Sequence, residues 1–411
     1  MKILLIVQPE RFDFYSYLAV AENIEWSLLW YEKPEQMTIQ KEHLPINFER
    51  ICYWNEFLTP EKLLNELQPD KIVFFEIIDL RQIGLNVAAL HRKIPTFYLE
   101  HGAAGDKETA INRWKEITFT KHKLPYIFKR FKASLLDVLR SKFFYYSVIK
   151  GFESVRSYIK FIMLPFQMLG GAPNKVLTAN KFKERVPLKS IVFNKVNFNE
   201  YALYTGINPE DALFSGVPAY DKYYLKSRVI KDHLLFIDSP YMEENICYWT
   251  KEHHATVAKA LFNLAEQRQI HIYIKLHPRS DASIWDTYSY NKDFVTIIQK
   301  GDYLNIFLEA KLILGFSSSL ITAFLCARKN VVLLGWHPEP GIFGVDFSRS
   351  NLCHKSLNLE ELTTKYDYWV SHNLTEENEE HYQNFLKEFN YPFDGRATDR
   401  VIKAITENGN S

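Results

Sequence analysis

The chain has 411 residues, 47% of them hydrophobic, and a formal net charge of only +1. That is enough apolar material for two cores, and it excludes both wholesale disorder and a generally basic, nucleic-acid-binding surface. The charge is uneven, because residues 111–160 carry twelve Lys/Arg against three Asp/Glu and leave the remainder near −8.

The N-terminus, MKILLIVQPERFDF, reaches Arg11 and Asp13 too soon for a signal peptide and predicts a first strand over Lys2–Gln8. Apolar β-branched or aromatic runs then alternate with amphipathic stretches, the pattern of βα units and a parallel sheet. The expected strands are Ile24–Trp30, Arg50–Trp54, Lys71–Glu76 and Thr96–Glu100, with helices over Pro60–Leu67 and Ile83–His91. The last of these strands runs into Glu100-His101-Gly102, where glycine lets the backbone approach a ligand closely. Residues 111–170 break the rhythm and predict one or two basic, aromatic helices. Such a segment is either an insertion with a solvated face or a patch that rests on anionic lipid or an anionic acceptor. Nothing reaches the roughly 18 uncharged apolar residues of a membrane span.

The rhythm resumes with strands over Lys175–Ala179, Ser190–Asn194 and Ala212–Ser215, and a turn-rich stretch sets a boundary near 220–232. A second series follows at His233–Asp238, Ile270–His277, Phe294–Gln299, Leu312–Phe316 and Val331–Gly335, with helices over Glu252–Gln269, Tyr303–Glu309, Ser319–Arg328 and Leu359–Trp369. The predicted organisation is an α/β chain of two Rossmann-like domains facing across a cleft. Residues 1–225 form the first and carry the insertion, 226–375 form the second, and helices in 376–411 pack back on the first. Cys52, Cys247, Cys326 and Cys353 are scattered without zinc-finger spacing, so reduced, structural thiols and a cytoplasmic setting are expected.

The chemistry gathers in Ile270–Ser319. One strand ends in Lys275-Leu276-His277-Pro278-Arg279, and another ends in Gly315-Phe316-Ser317-Ser318-Ser319 before an apolar helix. Side by side, these ends would bring a histidine, two cations and a serine-capped helix start to the sheet edge where open α/β folds bind ligands. A histidine at a strand end more often makes a structural hydrogen bond, and serine before a helix is an ordinary cap. Together at this spacing the two suit a phosphate, with His277 as donor near neutral pH. Asp238 closes LLFID at a neighbouring strand end, as a turn residue or as a carboxylate facing an electrophilic sugar carbon. Glu100 and His101, in the first domain, form a structural turn or an acid–base pair for an acceptor hydroxyl. The second His-Pro, His337-Pro338, is a secondary candidate. P-loop, dinucleotide-fingerprint, nucleophile-elbow and Asp-x-Asp metal patterns are absent, so Lys, Arg, His and a helix dipole are expected to neutralise the phosphate without a metal cofactor.

The Lys-x-His-Pro strand end with the later Ser-Ser resembles GT-B glycosyltransferases that use CMP-activated ulosonic acids: bacterial sialyl- and polysialyltransferases and the β-Kdo transferases of capsule and O-antigen synthesis. That resemblance implies CMP-phosphate binding for His277 and for Ser317 to Ser319, and a donor-domain aspartate, matching Asp238, that attacks or stabilises the anomeric carbon. The acidic Asp/Glu-Asp/Glu-Gly acceptor motif of the sialyltransferases has only a partial counterpart in Glu100-His101-Gly102, which favours Kdo. The expected partners are a CMP-sugar and a glycan or lipid-linked acceptor, with peripheral contact at the inner membrane face through 111–160. The alternatives are a CDP-polyol or UDP-sugar donor, or a sugar-nucleotide-binding partner without activity.

Overall fold

The computed structural model describes residues 1–102, 135–148, 151–170, 173–224, 229–244, 246–289, 292–299, 301 and 303–407. Part of the basic insertion therefore lies outside the described residues. The remainder forms two compact units, the first within residues 1–219 and joined by 396–407, the second within 220–395.

The first unit is built on a sheet of seven strands: β1 (Lys2–Ile6), β2 (Glu25–Leu29), β3 (Phe48–Cys52), β4 (Lys71–Phe74), β5 (Thr96–Leu99), β6 (Lys189–Val192) and β7 (Ala212–Phe214). Their order is β3-β2-β1-β4-β5-β6-β7, and every pairing is parallel. β4 and β5 are buried at every position, as strands covered on both faces must be. Local chemistry fixes the flanking helices. Thr59 accepts from the Lys62 N–H and Pro60 occupies the first turn of Pro60–Leu67, while Asp79 and Gln82 form a capping box on Leu80–His91. The last helix, Ala397–Thr406, belongs to this unit. Lys71 caps it, its ammonium donating to the carbonyls of Ile405, Thr406 and Glu407 at 2.7, 3.1 and 2.9 Å. A cation on the orphan carbonyls of a helix C-terminus satisfies both their hydrogen bonds and the dipole.

The second unit carries β8 (Lys231–Ile237), β9 (His271–Lys275), β10 (Val295–Ile298), β11 (Ala310–Gly315), β12 (Val331–Leu334) and β13 (His354–Ser356). The order is β10-β9-β8-β11-β12-β13, again all parallel. In both sheets the order reverses beside the first strand, between β1 and β4 and between β8 and β11, which is the switch point where such sheets bind ligands.

Three expectations change. The ends of β9 and β11 are not neighbours, because β8 lies between them and pairs with both. Lys175–Ala179, expected as a strand, lies in the helix Pro173–Ala179. A short apolar run carries no period of its own, and Pro173 suits a helix's first turn. Leu359–Trp369 is two short helices, Glu361–Thr364 and Tyr366–Ser371, rather than one. Among the described residues, no helix is long and apolar enough to cross a membrane.

Candidate functional site

The carboxyl edge of the second sheet gathers the expected residues on three adjacent strands. In register, Lys275 of β9 pairs with Ile237 of β8, and Ile237 pairs with Gly315 of β11. The residues just beyond, Asp238, His277 and Ser317–Ser319, therefore emerge from one edge with Asp238 in the middle.

His277 is half-buried, and its Nδ1 accepts the Arg279 backbone N–H at 3.2 Å. A neutral imidazole that accepts at Nδ1 carries its proton on Nε2, so the ring is fixed as a donor through Nε2. Pro278 makes the turn that returns Arg279 N–H to the ring. The Arg279 guanidinium itself is exposed and paired with Glu244, so it balances that carboxylate at the rim. Lys275 points away from the core side of its strand, where Ile272 and Ile274 are buried. Its ammonium donates to the Leu276 carbonyl at 2.6 Å. Burial lowers its pKa and the Asp238 charge acts the other way.

Asp238 is 7% exposed and accepts the Trp285 indole N–H at 3.3 Å. Burial pushes its carboxyl up to about 7, against the pull of Ser280 and Trp285. Ser318 caps the helix Ser319–Cys326, its hydroxyl accepting from Leu320 N–H at 3.1 Å. Gly315 serves by size rather than by backbone freedom. A Cβ there would lie 2.8 Å from Ile321 Cδ1 and 3.2 Å from Ile237 Cβ, so only glycine lets the helix start sit this close to the sheet. Ser317 is covered by the loop after β12, where a Cβ on Gly344 (φ +98°) would lie 2.8 Å from the Ser317 hydroxyl. His337, from the start of that loop, is buried with neither ring nitrogen partnered among the described residues, and burial lowers its pKa to about 4. It sits among Tyr241, Trp249 and Phe316 at ring distances of 4.9, 5.7 and 5.4 Å.

A second polar group stands at the carboxyl edge of the first unit's sheet. Glu100, just beyond β5, is 7% exposed and accepts from the Tyr98 hydroxyl and the His101 N–H, both at 3.0 Å. Burial pushes its carboxyl up to about 7, with the neighbouring His101 acting to lower it. His101 Nε2 lies 3.5 Å from a Glu76 carboxylate oxygen, and its ring packs on Phe14 at 4.5 Å. Burial disfavours the imidazolium, but Glu76 and Glu100 outweigh it and hold the pKa above the ordinary histidine value. Gly102 adopts φ +78°, the left-handed region that favours glycine, and turns its carbonyl toward Asn197 Nδ2 at 3.4 Å. Among the described residues, the buried polar atoms here without a hydrogen-bond partner include His101 Nδ1, the Tyr17 hydroxyl and Asn197 Oδ1.

Sequence reading missed Glu76 and Trp285. Glu76 follows the apolar run of β4 and looks like the tail of a strand; it meets His101 only because β4 and β5 are neighbours.

A profile of the family described as alpha-2,8-polysialyltransferase (POLYST) matches residues 26–321. Among solved structures, the wall teichoic acid polymerase TagF soaked with CDPG is similar at 11% identity over 98% of this chain and 87% of that chain, with a TM-score of 0.52. UDP-GlcNAc 2-epimerase from Methanocaldococcus jannaschii is similar at 15% identity over 98% of this chain and 99% of its own, with a TM-score of 0.50. At such identities these likenesses establish the fold alone, which is of the GT-B class. No curated protein matches the chain.

Proposed function

The chain belongs to the alpha-2,8-polysialyltransferase family, and from that premise we propose that it transfers an ulosonic acid, sialic acid before Kdo, from a CMP-activated donor to a glycan. The carrying observation is the convergence of Lys275 and His277 at the end of β9, Asp238 at the end of β8 and the Ser318-capped helix start after β11, on three adjacent strand ends. The family match supports placing sialic acid before Kdo, the donor that Glu100-His101-Gly102 favoured in the sequence.

In this reading the CMP phosphate lies against the helix start and the Lys275 ammonium, where free N–H groups and the dipole favour an anion. The bond from the anomeric carbon to the phosphate oxygen breaks, its electron pair leaves with CMP, and His277 Nε2–H donates to the departing phosphate. Asp238 has two expected roles, attack or electrostatic stabilisation. A buried carboxyl with a pKa of about 7 is half neutral at physiological pH and already holds an indole N–H. Both roles need the ionised carboxylate, and the indole N–H already held by one of its oxygens favours stabilising the oxocarbenium-like carbon over covalent attack. The acceptor oxygen forms the new bond and gives its proton to a carboxylate, the role proposed for Asp238 or Glu100; within the first unit, the Glu76-paired His101 keeps positive charge beside Glu100.

The test is a donor screen. The full chain is incubated with a sialylated oligosaccharide and, separately, CMP-sialic acid, CMP-Kdo, a CDP-polyol and a UDP-sugar, and nucleotide release is measured. Acceptor-dependent CMP release from CMP-sialic acid is expected. Release from CMP-Kdo alone would restore the Kdo assignment, and release from a CDP or UDP donor would overturn the CMP reading. Binding of CMP-sialic acid without turnover would identify a non-catalytic partner.

A further inference from the structure

Among the described residues, two helices of the first unit leave apolar surface uncovered in a way the core does not explain. Helix Val155–Gly170 has the sequence VRSYIKFIMLPFQMLG, apolar around most of its circumference. One face is spoken for. Pro165 has no N–H to give the Phe161 carbonyl one turn back, and Tyr145 of the helix Leu135–Tyr146 donates to that carbonyl instead at 2.7 Å. Tyr146 donates to the next carbonyl, Ile162, at 3.1 Å, and the Tyr145 and Phe161 rings stack at 3.9 Å. Phe161 and Leu164 are buried in the unit's core on that side.

The other face is a continuous stripe. Val155, Ile159, Met163 and Phe166 follow at intervals of four, four and three residues, which keeps them within about a quarter of the circumference. They are 76%, 55%, 44% and 60% exposed. The partner helix adds Val138, Leu139 and Phe143, also exposed. Large apolar residues aligned on solvent, rather than scattered singly, mark an interaction surface. The charge on the two helices is mainly positive: Arg140, Lys142, Arg156 and Lys160 stand against Asp137.

We propose that the stripe of Val155, Ile159, Met163 and Phe166 lies in the interface of an anionic membrane, with the basic residues around it engaging lipid headgroups. An apolar face bordered by cations is the composition of interfacial helices, which bind by burying the apolar side and attracting acidic lipid. A second copy of the same chain would bring like charge against like charge, whereas an acidic lipid surface neutralises it. The surface belongs to the first unit and does not depend on which donor the protein uses.

Flotation of the full chain with vesicles of phosphatidylcholine, with and without phosphatidylglycerol, tests this. The protein is expected to float with the anionic vesicles, to be released in part by high salt, and to stay behind with the neutral ones. The double variant Ile159→Gln/Phe166→Gln is expected to lose about tenfold or more of its partitioning, with an unchanged melting temperature, since both side chains are exposed. Arg156→Glu, which leaves the stripe intact, is expected to weaken binding to anionic vesicles alone and serves if the double variant does not fold. Equal flotation of these variants and wild type would overturn the proposal. So would a wild-type dimer that becomes monomeric in the double variant and floats with neither vesicle, because the stripe would then be a contact between copies.

Discussion

Replacement of His277 by alanine is expected to lower turnover by about a hundredfold to a thousandfold, the range typical for loss of a positioned acid or hydrogen-bond donor at a leaving group. The stability cost is expected to stay below about 1 kcal/mol, because the ring is half-buried and the Arg279 N–H bonded to it can pass to water. The loss should fall on kcat more than on KM if the donated bond strengthens as CMP departs. His277→Gln, which can still present an N–H, should recover part of the rate. Near wild-type turnover in His277→Ala would remove this residue from the reaction.

The second large effect is expected at Glu100. Glu100→Gln removes a carboxylate proposed to take the acceptor proton and should cost about a hundredfold to ten-thousandfold in rate. Its pH dependence has a definite sign. The folded pKa, about 7, lies above the ordinary carboxyl value of 4.5, because burial disfavours the ionised form. The folded protein therefore keeps a proton that the unfolded chain releases, so this group's contribution to stability is complete below about pH 4.5 and is lost as pH rises through about 7. Activity should follow the opposite course and rise through about pH 7 as the base ionises. Glu100→Gln should thus be nearly inactive yet more stable than wild type at pH 8, by up to about 3 kcal/mol, with no gain at pH 4. Thermal melts at the two pH values, run beside a pH–rate profile, check both halves. A variant that is less stable at pH 8 and active would show that the buried carboxyl is structural. Asp238, also raised to about 7 by burial, works in the same direction.

What could be read in the sequence was the chemistry at strand ends. LLFID, YIKLHPR and LILGFSSS each stop an apolar run on polar groups, and parallel sheets put all such stops on one edge. The lateral order of the strands could not be read, since it depends on helix packing far along the chain. Asp238 was legible as a strand-end carboxylate, but its place between His277 and the serines comes only from β8 pairing with both β9 and β11. Glu76 was hidden for the same reason, having no meaning until β4 lies beside β5. Gly315 was legible only as the glycine closing an apolar run; what demands glycine there, the close approach of Ile321 and Ile237, appears only in the fold. The apolar stripe was invisible because periodicity shows that Val155–Gly170 is apolar but not which of its sides the domain uses.

The central claim is that the edge formed by β9, β8 and β11 holds the phosphate of CMP, and calorimetric titration of the full chain with CMP, CDP and UDP tests it most directly. A single CMP should bind in preference to the other two, and Lys275→Met or Ser318→Ala should each weaken it by about tenfold or more, the worth of one hydrogen bond to a charged group. CMP affinity unchanged in both variants, or binding of UDP in its place, would contradict the account.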